Sequence, residues 1–106
     1  MSYRELEMKV IQWGEARGIV QNSTPMAQLK KTYEELNELM FAITECNEAE
    51  CNEAEMKDAY GDILVTLIMG CACADIDLVE CLELAYNEIK DRKGYLTPEG
   101  IFVKEV

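Results

Sequence analysis

Histidine is missing from this sequence altogether, and positive charge is scarce. Without histidine the chain lacks the commonest general base and the commonest zinc ligand. Lysine and arginine number 10 against 21 aspartates and glutamates, giving a formal charge of −11. So acidic a surface repels nucleic-acid phosphates and anionic lipid, and no basic cluster offsets it, so neither nucleic acid nor membrane is expected as a partner. No apolar run is long enough to span a bilayer: the longest, Ile63 to Ala74, falls short, and MSYRELEMKV lacks the apolar run of a signal peptide. The expected compartment is cytoplasmic. Prolines number only two, which with 49% hydrophobic and 29% charged residues fits a folded globular protein rather than a disordered one. Five cysteines, an odd number without an export signal, read as reduced thiols.

The 106 residues suffice for a single domain, 1–106, with one modest core. A capping box, Ser2 with Glu5, opens a first helix whose apolar positions Leu6, Val10 and Trp13 run to about Arg17, where Gly18 ends it. Asn22-Ser23-Thr24-Pro25 predicts a second helix from Pro25 to about Thr44, with an inner stripe of Leu29, Tyr33 or Leu36, Met40 and Ile43. A third runs to about Ala74, apolar nearly all round from Ile63, as the central helix of a bundle would be. Asp75-Ile76-Asp77 caps a fourth, with the stripe Leu78, Leu82, Ala85 and Ile89 and a stop at Gly94. Short connections make neighbours antiparallel, so the expected fold is an all-α four-helix bundle, with Tyr95 to Val106 as a hairpin or an arm onto a partner subunit.

The chemistry sits in the two middle helices. Glu34-Glu35-Leu36-Asn37-Glu38 puts Glu35 and Glu38 on one helix face, and the four-residue step from Asp58 to Asp62 does the same on the next helix. Between antiparallel neighbours these four carboxylates would repel by roughly 4 kcal/mol per close pair at an effective dielectric near 20, and a divalent ion would relieve the strain. All-oxygen ligation points to Mg²⁺ or Mn²⁺. The plainer alternative is a solvated acidic helix face.

QLKKTYEELNEL (Gln28 to Leu39) followed by KDAYGDILVTL (Lys57 to Leu67) resembles the paired signature of the MazG-like all-α nucleoside triphosphate pyrophosphohydrolases, and AYNEIKDRKG (Ala85 to Gly94) resembles the last helix of their small members, many from phages and mobile elements. The resemblance implies an oligomeric four-helix MazG-like bundle, a homodimer or homotetramer, that hydrolyses a nucleoside triphosphate to monophosphate and pyrophosphate. It implies Glu35, Glu38 and Asp62 as metal ligands, with Glu34 as a further catalytic acid that coordinates or orients the attacking water. Lys31, Asn87 and Lys90 match positions that contact substrate in relatives. One departure stands out: Ala59 occupies the place where many relatives have glutamate, and Asp58 supplies the acid one residue earlier. Trp13, as a base-stacking ring, and Tyr60, between the two acids, are further candidates for the substrate pocket, against an ordinary core role for Trp13 and simple i, i+4 pairing with Glu35 for Lys31.

Competing readings are another phosphoanhydride substrate for the same site, such as phosphoribosyl-ATP or an alarmone, and a non-catalytic helical module that binds cations or partners. The repeat ECNEAECNEAE, Glu45 to Glu55, reads as a duplicated spacer between the acidic helices. Cys46 and Cys51 lack zinc-site spacing, and Glu48, Glu50, Glu53 and Glu55 should be solvated, Glu55 being the one placed to extend toward the metal. The remaining cysteines are expected as small core residues.

Overall fold

The computed structural model describes residues 1–46 and 53–105. Most of the repeat, with the calls on Glu48, Glu50 and Cys51, lies outside them.

The chain is mostly helical. Helix α1 (Tyr3–Ala16) starts where Ser2 accepts the Glu5 amide and ends where Gly18, at φ 75°, donates its amide to the Glu15 carbonyl. A single turn, α2 (Ile19–Asn22), follows, and α3 (Pro25–Cys46) begins at proline, with the Thr24 hydroxyl accepting the Ala27 amide. Helix α4 (Glu53–Cys73) ends in a Schellman motif: Asp75 adopts φ 55°, its amide bonds to the Ala72 carbonyl, and the Ile76 amide reaches back to Cys71. Asp77 caps α5 (Leu78–Ile89) by accepting the Val79 amide. Strands β1 (Gly94–Leu96) and β2 (Phe102–Lys104) pair antiparallel into the anticipated hairpin. Gly94 opens β1 rather than stopping α5, because a Cβ there would collide with the Val103 carbonyl.

Helices α3 and α4 form the principal pair and run antiparallel, with Gln28 beside Gly70, Thr32 bonded to Thr66 (2.7 Å between hydroxyls) and Glu38 near Asp62. The buried stripe of α3 is Thr32, Glu35, Leu39 and Ala42, and α4 buries Ala59, Thr66, Ile68 and Met69, the last against Gly14 of α1. This corrects the expected inner stripe: Leu29, Tyr33, Leu36 and Met40 are exposed and Ile43 is half-buried. Small residues (Thr32, Ala42, Ala59, Thr66) let the two backbones approach closely, so the contact face follows them and sits about 100° round from the large apolar side chains.

Helix α1 departs in the same way. Leu6 and Trp13 are exposed, and the helix instead buries Glu7 and Gly14, one face at i and i+7. Gly14 dictates this, since a Cβ on it would lie 2.8 Å from Cε of Met69, the most buried large side chain. Helix α5 leaves the rest of the protein: every residue from Glu80 to Ile89 is exposed, including Leu82 and Ile89 of the expected inner stripe. Among the cysteines, Cys71 and Cys73 are half-buried and Cys81 is exposed, so only the first two come near the expected core role.

Candidate metal centre

Because α3 and α4 are antiparallel, the two acidic segments meet. One carboxylate oxygen from each of Glu35, Glu38 and Asp62 lies within 4.8 Å of the others, the only group of this kind among the described residues that could hold a metal ion. Glu35 is 8% exposed, Asp62 half-buried and Glu38 exposed, so the cluster opens to solvent on the Glu38 side. Burial, then hydrogen bonding to Glu38 and the charges of Glu38 and Asp62, push the Glu35 carboxyl above its usual value, with Lys31 pulling the other way. Burial, then the charges of Asp58 and Glu38, push Asp62 up as well. A contact between two carboxylates is stable only with a proton or a cation between them, and Oε2 of Glu35 is buried with no hydrogen-bond partner among the described residues.

These features fit a hard divalent cation. Adjacent ligands on an octahedral Mg²⁺ lie about 3 Å apart, so the three oxygens, spaced by up to 4.8 Å, would draw inward on binding, and an orphaned buried carboxylate oxygen is a group such an ion would satisfy.

The other candidate residues fall into two groups. Asp58 stands one turn before Asp62, exposed and outside the cluster; with Asn37, Glu38, Phe41 and Glu55 it lines an adjoining cavity of about 400 Å³. Tyr60 projects outward from the same stretch of α4. Lys31 bonds Glu34 at 3.2 Å and approaches Glu35 at 3.8 Å, so it is the cation at the cluster, and Glu34 is turned to solvent beside it. Hydrogen bonding to Glu34, and the charges of Glu34 and Glu35, raise the Lys31 pKa. Glu53 is paired with Lys57 at the surface. Elsewhere, Trp13 is exposed on α1 with the Arg17 guanidinium 5.5 Å from its ring centre, a cation–π contact rather than a core position. Asn87 and Lys90, on α5 and at its C-cap, are exposed and make no ion pair or side-chain hydrogen bond with the cluster.

One acid escaped the sequence reading. Glu7 is 2% exposed, and its Oε2, like that of Glu35, is a buried carboxylate oxygen with no hydrogen-bond partner among the described residues. Its only signal was position, seven residues before Gly14 on one helix face. Compared with known protein families, with curated proteins and with solved structures, the chain gives no match. No described helix is long and apolar enough to cross a membrane.

Proposed function

We propose that this protein is a Mg²⁺-dependent nucleoside triphosphate pyrophosphohydrolase of the MazG-like kind, releasing monophosphate and pyrophosphate as nucleotide-pool house-cleaning. One observation carries the reading: Glu35, Glu38 and Asp62 bring one carboxylate oxygen each within 4.8 Å of the others from two helices, and Oε2 of Glu35 is buried with no hydrogen-bond partner among the described residues. These three residues would hold the ion, with Mn²⁺ an acceptable substitute. A cation held there would supply charge neutralisation for the phosphates and would acidify the attacking water. Lys31 offers a positive charge to the phosphates, at the expense of its pair with Glu34. Glu34, solvent-facing and freed of Lys31, accepts the proton of the attacking water. Asp58, beside the adjoining cavity, adds a carboxylate where phosphates with further cations would lie.

The reading includes a homo-oligomer, a homodimer or homotetramer built on a four-helix bundle shared between copies. Its support is shape: the radius of gyration is 16.5 Å, against about 13 Å for a compact chain of this length. Leu82, Tyr86 and Ile89 of α5 and Leu29, Tyr33 and Met40 of α3 are apolar and exposed, more than a small monomer leaves in water. A second copy would cover them.

The test is thermal melting with Mg²⁺ titrated in, with and without a non-hydrolysable triphosphate. Stabilisation by the ion and a further rise with nucleotide are expected. A rise with the ion alone would reduce the protein to a cation-binding module.

A further inference from the structure

Two of the cysteines come together where α4 turns into α5. Cys71 lies in the last turn of α4, and its carbonyl accepts the Ile76 amide at 2.8 Å, the bond that folds the chain back after Asp75. Asp77 and Leu78 open α5 and share with Cys71 the wall of a cavity of about 350 Å³. Cys81 follows Asp77 by four residues and Leu78 by three, and its amide bonds to the Asp77 carbonyl at 3.1 Å, so it stands on the helix face that these two turn toward Cys71.

The two thiols meet across the turn. Burial, then the charge of Cys81 and a side-chain hydrogen bond with it, then the charges of Glu7 and Asp77, raise the Cys71 pKa. Cys73 stays out of the pair: it projects about 200° round α4 from Cys71, and its Sγ donates to the Ile19 carbonyl at 3.7 Å. Arg4 fixes the turn from the other side, donating from Nη1 and Nη2 to the two oxygens of Asp77 at 3.2 and 3.1 Å and so tying the cap of α5 to α1.

We propose that Cys71 and Cys81 form a redox modification site, closing to a reversible disulfide across the α4–α5 turn when a hydroperoxide is present. Cys81 is exposed and meets the oxidant first. Its thiolate attacks the O–O bond, forming a sulfenic acid and releasing an alcohol, or water from hydrogen peroxide. Cys71 is half-buried and held as a thiol, which keeps it inert toward free oxidant. Its sulfur then displaces the hydroxyl of the adjacent sulfenic acid, which leaves as water with the Cys71 proton. In all, the two thiols lose two electrons and two protons, and the peroxide takes both. A dithiol reverses the step by exchange. The α5 face assigned to a second copy is a different one, since Cys81 lies about 100° round the helix from Leu82.

The test oxidises the full chain with hydrogen peroxide, labels the remaining thiols with N-ethylmaleimide, and reads intact mass and an Asp-N digest, which cuts before Asp75 and Asp77 and so separates the two cysteines. Two fewer labels than on the reduced chain, one cross-linked peptide pair, and recovery of both labels with dithiothreitol are expected. The bridge should survive in Cys73→Ser and be lost in Cys71→Ser and in Cys81→Ser, the last an exposed position that guards against a folding failure of the other. Closing this short loop should raise Tm by about 10 °C, and dithiothreitol should reverse the rise. A full label count after oxidation, a bridge to Cys73 or between chains, a sulfinic acid at Cys81 in place of the bridge, a loss of two labels that persists in Cys81→Ser, or a bridge that lowers Tm would overturn the proposal.

Discussion

Replacing Glu35 by glutamine should stabilise the metal-free protein and abolish its response to Mg²⁺, two effects of opposite sign from one substitution. At the outer separation of 4.8 Å, two full charges repel by about 3.5 kcal/mol at an effective dielectric near 20. Glu38 is exposed, so water screens much of its share, and the variant also loses the 3.8 Å approach of Lys31 to Glu35. A net gain of about 1 kcal/mol remains, a rise in Tm of about 4 °C. In the wild type, ion at a hundred times its Kd adds about 2.7 kcal/mol; in the variant that gain should nearly vanish. The pH dependence follows from the raised Glu35 and Asp62 pKa values. The folded state holds these protons more tightly than the unfolded chain. The associated stability is present below the ordinary carboxylate range and lost as pH climbs through the raised values, so metal-free protein should melt lower at pH 7 than these two groups would allow near pH 4.5. Differential scanning calorimetry with chelator and then with excess Mg²⁺ gives both signs. A Glu35→Gln protein that melts below wild type without metal, or that keeps the full Mg²⁺ gain, would refute the strained-cluster reasoning.

Three further outcomes are expected. Gly14→Ala forces a methyl against Met69 and should cost roughly 1 to 3 kcal/mol in urea denaturation, with part recovered when Met69 is shortened to valine. The Arg4 hydrogen bond, aided by the Val79 and Glu80 amides, holds the Asp77 carboxyl below its usual range; its contribution is present above that range and lost as pH falls through the lowered value, so Arg4→Gln should flatten the acid limb of a Tm-against-pH curve. By sedimentation equilibrium the wild type should exceed its 12.1 kDa chain mass, and Leu82→Glu with Ile89→Glu should return it to that mass; a monomeric wild type would count against the shared bundle.

What the sequence disclosed was local. Caps at Ser2 and Asp77, the proline at 25 and the i, i+3 spacing of Glu35 and Glu38 depend on neighbours along the chain, and the helices and the meeting of those two acids with Asp62 followed from them, whereas Asp58, expected as a fourth member, stays outside the cluster. The buried faces did not follow. Which side of α3 packs depends on how closely two backbones approach, so Thr32 and Ala42 prevailed over Tyr33 and Met40 although the latter are more apolar. The Arg4–Asp77 clamp joins residues 73 apart, and no periodicity encodes it. Glu7 drew no notice in the sequence, because its burial follows from the close approach of Gly14 to Met69 on the same helix face. Asn87 and Lys90 look like site residues in the sequence, yet they lie on the exposed α5 and make no ion pair or side-chain hydrogen bond with the cluster.

The central claim is tested most directly by phosphorus NMR of the purified protein with Mg²⁺ and a panel of ribo- and deoxyribonucleoside triphosphates, with Glu38→Gln alongside. Monophosphate and pyrophosphate appearing together, and absent from the variant, is the predicted result. Unchanged triphosphates throughout the panel, or release of inorganic phosphate that persists in Glu38→Gln, would contradict it.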